Sequence, residues 1–194
     1  MEAMLLLVVL VAVLVFILVR GFTQSRAAII KDPTISFLDL SGGEFAELLR
    51  GDETALGPLF KSATESNLTP PRCNVLFLYC RLGAGGQIPG SNRGLRELIR
   101  DSGASVVVVA SENTGEQYHA AAKETGYGRA NLVMTLERKG PAFAHFFYQL
   151  FSLMKRGKSM PMAWVKLAPQ VPHPQNSKGP EIFFFCEAGQ IKFR

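Results

Sequence analysis

Cysteine, histidine and tryptophan are scarce in this sequence, and its charge is nowhere massed. Three cysteines in 194 residues, Cys73, Cys80 and Cys186, do not make a disulfide framework, and two of them fall in strands expected to be buried. A reducing compartment follows. The three histidines, His119, His145 and His173, never recur at i and i+4, and the seven-residue step from Cys73 to Cys80 is not a zinc spacing. No metal and no cofactor are therefore expected. Lys and Arg outnumber Asp and Glu by 21 to 16, but they are scattered rather than clustered. That pattern excludes a nucleic-acid polymer as the natural partner and suits a mildly basic surface near anionic lipid. Internal repeats and low-complexity tracts are absent, and so is a Gly-Lys-Ser/Thr phosphate loop.

What the chain does have is one long apolar run. Residues 3–19 carry no charge, and fourteen of them are Leu, Val, Ile or Phe. As a helix they reach roughly 25 Å, the short end of a bilayer span. At about −0.3 to −0.6 kcal/mol each, these side chains favour insertion by about 4 to 8 kcal/mol. A cleaved signal peptide fits less well, because Glu2 is the only charge before the run and no Ala-x-Ala site precedes Arg20. Arg20, Arg26 and Lys31 all follow it, so the remainder of the chain is expected in the cytoplasm. The expected organisation is a transmembrane helix at 1–20, a juxtamembrane linker at 21–33 and one α/β domain at 34–194.

Within that domain the central stretch is Ala104 to Gly115, where four valines end in Ser-Glu-Asn-Thr-Gly. It has the pattern of a strand buried on both faces, whose carboxyl end opens into a turn where ligands gather in α/β sheets. Residues 34–40 alternate and predict a half-buried edge strand. Ser41 and Glu44 have capping-box spacing, Phe45, Leu48 and Leu49 give a helix face, and Gly51 stops it; a second helix is expected over 56–66. Beyond Pro70-Pro71 the pattern predicts strands at 74–79, 131–136, 181–186 and 190–193. Helices are expected at 95–102, 116–125 and 141–156, with a short helix or turn at 161–167. The Phe143 to Met154 stripe, Trp164 and the Phe183 to Phe185 run are expected in the core. This alternation predicts a three-layer α/β sandwich with a mostly parallel sheet.

Two groups of residues carry candidate chemistry. The loop at 82–94 follows a strand and opens a helix, so its backbone N–H groups and Arg93 can hold an anion or a nucleotide; the rival is a flexible connection. With the turn after the valine strand, the ligand-binding candidates are Gly85, Gly86, Ser91, Asn92, Arg93, Ser111, Glu112, Asn113 and Thr114. Cys80, at the end of the 74–79 strand, is the one thiol placed like a nucleophile, but no histidine can be named as its base, and the rival is an inert buried thiol.

From about residue 73 to 193 the chain resembles the CHAT branch of the caspase-like domains. The likeness rests on Val109-Ala-Ser-Glu-Asn-Thr-Gly115, the 131–136 strand, Phe147-Tyr148 with Gly157, Ala163-Trp164 and the 184–189 stretch, in that order. In that family a strand ends in a Ser-Ala-Cys-Glu-Thr-Gly-like motif, and its Cys is the nucleophile. Here Glu112 stands in that place, and Tyr79-Cys80-Arg81-Leu82-Gly83 lacks the His-Gly that supplies the base. The resemblance therefore implies a caspase-like fold with lost protease activity: a pseudoenzyme serving ligand binding or signalling. Self-association and a protein partner are expected with it. A single span followed by a Rossmann-like domain also resembles the architecture of membrane effectors that sense a nucleotide second messenger, as in CRISPR-associated Rossmann-fold sensors. That alternative would use the glycine loop, and a third, a cysteine hydrolase, would use Cys80.

Overall fold

A computed structural model describes residues 27–66, 70–83, 87–91, 93–123, 130–168 and 179–194. The apolar run at 3–19, Gly85, Gly86, Asn92 and His173 lie outside the described residues. Among the described residues, no helix is long and apolar enough to cross a membrane.

The domain is α/β with a mostly parallel sheet. In chain order its elements are β1 (Ala28–Ile30), β2 (Ile35–Asp39), α1 (Ala46–Leu56), a 3-10 turn (Gly57–Leu59), β3 (Ala63–Ser66), β4 (Val75–Tyr79), α2 (Leu95–Ser102) and β5 (Val106–Val109). Then come α3 (Gly115–Lys123), β6 (Asn131–Glu137), α4 (Pro141–Lys155), α5 (Met160–Leu167), β7 (Glu181–Cys186) and β8 (Ile191–Phe193). Six strands form the main sheet in the order β3-β2-β4-β5-β6-β7. The first five are parallel, and β7 closes the edge antiparallel to β6. Order reverses between β2 and β4, and the crevice beyond the carboxyl ends of two such strands is where doubly wound sheets place their ligands.

Each face of the sheet has its own core. On one face α1, α4 and α5 cover Ile35, Phe37, Val75, Phe77, Val106, Val108 and Val133. On the other, residues of α2 and α3 pack with Leu38, Leu76, Leu78, Val107, Val109, Leu132 and Met134. Strands β4 and β5 are buried along their whole length because alternate residues serve opposite cores, which is why the sequence shows them as unbroken apolar runs. Helices on both faces are compatible with a three-layer sandwich.

Several expectations need correction. The 34–40 segment is no edge strand: β2 is buried at every position between β3 and β4. The outer partner that buries it is β3, which lies in the stretch expected as a second helix. There Pro58 opens only a 3-10 turn, and Ala63–Ser66 then pairs parallel to β2. Helix α1 runs straight through Gly51 to Leu56, since Leu49, Asp52 and Leu56 bury one face across the glycine. Its N-cap is Phe45 rather than Ser41, whose Oγ accepts the Phe45 N–H at 3.2 Å. Ala28–Ile30, within the expected linker, pairs parallel with β8 to form a small second sheet. Phe183 and Phe185 are 49% and 40% exposed, so of that run only Phe184 packs inward, with its ring 4.6 Å from that of Trp164. Cys186 is also exposed.

Candidate functional site at the carboxyl edge of the sheet

The ends of β4 and β5 lie side by side because the two strands pair in register from Val75↔Val106 to Leu78↔Val109. Cys80 thus comes next to Ser111. The Ser111 hydroxyl accepts the Cys80 N–H at 3.0 Å and donates to the Cys80 carbonyl. Asn113 extends this clamp by donating Nδ2–H to the Cys80 carbonyl at 3.2 Å and accepting the Leu82 N–H on Oδ1 at 2.8 Å. Its own N–H goes to the Thr135 carbonyl at the end of β6. Tyr118 of α3 donates to the same carbonyl at 2.8 Å and accepts the Thr135 N–H at 3.0 Å. Ser111 and Asn113 are buried and serve backbone groups. The Cys80 N–H and carbonyl and the Leu82 N–H find their partners in these two side chains.

Of the other candidates, Glu112 is exposed and accepts the Arg138 N–H at 2.9 Å. Thr114 caps α3: its N–H goes to Gln117 Oε1 at 2.8 Å, and its Oγ1 accepts the Gln117 N–H at 3.3 Å. The Gln117 side chain also donates to the Leu82 carbonyl. In the glycine loop Ser91 accepts the Arg93 N–H at 3.1 Å, and the Arg93 guanidinium lies 3.6 Å from the Asp101 carboxylate. Glu97 accepts the Gly94 N–H at 3.1 Å. The N-terminus of α2 is therefore already met by a carboxylate, the position a phosphate would take.

The thiol of Cys80 is fully buried, and burial, with the charge of Asp39 second, pushes its pKa up to about 12. Burial likewise pushes Cys73 up to about 11, with a Ser36 hydrogen bond opposing. Both thiols hold their protons in the folded chain well past the point where an unfolded cysteine ionises. Above about pH 9 unfolding then releases protons, so stability falls as pH rises, by about 1.4 kcal/mol per pH unit for each thiol until its folded pKa is reached. Urea melts between pH 8 and 10.5 should show that loss, and Cys80→Ala should have a measurably shallower pH slope than the parent chain. Equal slopes would mean Cys80 is not held protonated by the fold.

Sequence reasoning missed a second cluster at the same edge. Arg138, just past β6, is 6% exposed; its Nη2 donates to both oxygens of Asp52 on α1, at 2.8 and 2.9 Å, and its Nη1 donates to the Ala110 carbonyl at 2.7 Å. The Tyr79 hydroxyl donates to Asp52 Oδ2 at 2.6 Å, and the guanidinium lies 3.8 Å from the centre of the Phe143 ring. Burial raises the pKa of Asp52 despite the opposing guanidinium. Tyr79 is raised far above the usual phenol range, first by burial and then by the Asp52 charge. One signal was available: Asp52 interrupts the apolar stripe Leu49, Leu56 of α1, and a carboxylate at a buried helix position needs a cation. The 86 residues between the partners hide which cation it is.

No family model matches the chain, and no curated protein matches it in sequence. Among the described residues, no group of three or more His, Cys, Asp or Glu side chains is placed to hold a metal ion.

Proposed function

We propose that this is a membrane-anchored, CHAT-like binding or signalling module without hydrolase chemistry. The observation that carries this reading is the closed joint between β4 and β5. The strand ends where the resembled family keeps its base and nucleophile hold instead a buried protonated thiol and a Ser111–Asn113 clamp spent on backbone groups. Thiolate is the nucleophilic form, and a thiol held to about 12 offers none near neutral pH. The parallel sheet with helices on both faces supports the caspase-like fold, and the apolar run at 3–19, followed by Arg20, Arg26 and Lys31, supports a single-pass anchor with the domain in the cytoplasm.

The test is the rate at which iodoacetamide labels Cys80 in the full chain, read by peptide mass spectrometry from pH 6 to 9. Exposed Cys186 should label readily, and Cys80 only at the rate of global unfolding. Labelling of Cys80 faster than Cys186 near pH 7 would overturn the non-catalytic reading and favour a cysteine hydrolase.

A further inference from the structure

The small sheet of β1 and β8 has two unlike faces. Ile30, Ile191 and Phe193 turn inward and join the core that α4 covers. Alternate residues turn the other way: Ile29, 57% exposed, pairs with Lys192, and exposed Lys31 and Arg194 follow on. The outer face is therefore basic, with one apolar side chain among the cations.

This sheet lies across the amino ends of the main strands. At one end the Ala28 N–H donates to the Gln190 carbonyl at 2.7 Å, beside Gly189, whose carbonyl accepts Asn131 Nδ2–H from the first residue of β6 at 2.9 Å. At the other end the Pro33 carbonyl, just ahead of β2, accepts the Lys61 N–H at 3.0 Å. Helix α4 ends on the same edge, where Lys155 donates to the Leu59 carbonyl at 2.8 Å. Lys31, Lys61, Arg156, Lys158, Lys192 and Arg194 thus share one edge, and none of them is ion-paired among the described residues. The acids there are Asp32, Asp101 and Glu187, and Asp101 is already paired with Arg93 and Arg100. The opposite, carboxyl edge carries exposed Glu44, Glu47, Glu97, Glu112, Glu116 and Glu137, so charge is polarised across the sheet.

Chain length says what the basic edge meets. The apolar run ends at Val19 and β1 begins at Ala28, and nine residues reach no more than about 32 Å. In the membrane-anchored reading, the edge that carries β1 is the one tethered beside the bilayer. The cytoplasmic leaflet is the anionic one, and it attracts charge of the sign found on that edge.

We infer that the outer face of the β1 and β8 sheet rests on the headgroups of anionic phospholipids, with Lys31, Lys192 and Arg194 against the charged groups and Ile29 at the interface. The carboxyl edge, with Glu112 and the Arg138 cluster, then faces away from the membrane. This rests on the anchored reading and adds to it a docking face and an orientation.

Lysine footprinting tests it. The full chain is embedded in phosphatidylcholine nanodiscs with or without phosphatidylserine, acetylated with a water-soluble N-hydroxysuccinimide ester and read by peptide mass spectrometry. With phosphatidylserine at low salt, Lys31 and Lys192 should react at least about fivefold more slowly than in phosphatidylcholine alone, and high salt should restore their rates. Lys139, at the carboxyl edge, should react alike in both lipids. The pair Lys31→Glu and Arg194→Glu, at exposed positions, should leave the melting temperature unchanged and abolish the slowing at Lys192. Equal rates in the two lipids, or equal slowing at Lys139, would overturn the inference. The anchor is read separately, from whether the chain stays with the nanodisc in high salt. A chain protected at low salt and washed off at high salt keeps the face and loses the anchor; one that stays embedded with unprotected lysines loses the face alone.

Discussion

Arg138→Met should lower the unfolding free energy by about 3 to 5 kcal/mol, the usual cost of removing one partner from a buried ion pair. The side chain, carried just past β6, joins three other parts of the molecule: Asp52 on α1, the Ala110 carbonyl beyond β5, and Phe143 on α4. With methionine there, Asp52 keeps only the Tyr79 hydroxyl in a buried setting that already raises its pKa. Its folded pKa rises further. A raised carboxyl pKa gives stability that is present below about pH 4, the unfolded value, and lost as pH climbs through the folded value. The variant should therefore be closest to the parent chain in acid and fall away toward pH 7, where a loss of about 3 to 5 kcal/mol is about 6 to 20 °C in melting temperature. Removing both charges changes the outcome. Asp52→Leu with Arg138→Met buries no unpaired charge and should recover most of the loss. Thermal melts of parent, single and double variants from pH 4 to 8 decide it. A double variant no more stable than Arg138→Met would show that the pair is not the source of the cost.

Phe77→Ala should cost a further class of stability, about 3 to 5 kcal/mol, through a cavity at the centre of the larger core. Phe77 is fully buried on β4, and its ring lies 5.2 Å from that of Phe147, 5.6 Å from Phe37, 6.2 Å from Phe151 and 6.4 Å from Phe143. Two neighbouring strands and a helix press on one ring, so the site cannot collapse to fill a void. Phe77→Leu keeps most of the volume and should cost below about 1.5 kcal/mol. Phe183→Ala is the contrast, because that ring stands 49% exposed on the edge strand β7 and its loss should stay within about 0.5 kcal/mol. Urea denaturation of the three variants gives the ranking. If Phe183→Ala proved as costly as Phe77→Ala, the outer face of β7 would have to be covered in the intact protein.

The elements most legible in the sequence are those whose burial is local and complete. The four valines of β5, the apolar run of β4 and the phenylalanine stripe of α4 each state their period within a few residues, and each formed where that period places it. Gly103, at φ 65°, ends α2 as a left-handed C-cap residue should. Segments with mixed patterns were not legible. Residues 56–66 hold a proline, a short apolar stretch and four residues that become a strand only because β2 offers them an edge. The candidate site divides the same way. That Cys80 and the Ser111 to Thr114 turn close two central strands follows from the apolar runs before them. That Ser111 and Asn113 spend their polar atoms on the backbone of Cys80 and Leu82 depends on the two strand ends meeting at hydrogen-bonding distance.

By itself the sequence determined the α/β class, the two buried central strands, the helices between them and the apolar run ahead of the domain, because each follows from hydrophobic period and chain length. Tertiary structure alone decided the rest: that β2 is interior, that β7 runs antiparallel with two phenylalanines outward, that β1 pairs with β8, and that Arg138 meets Asp52. Those outcomes are contacts between segments far apart in the chain, and a local period records how much of a side chain is buried without recording what buries it.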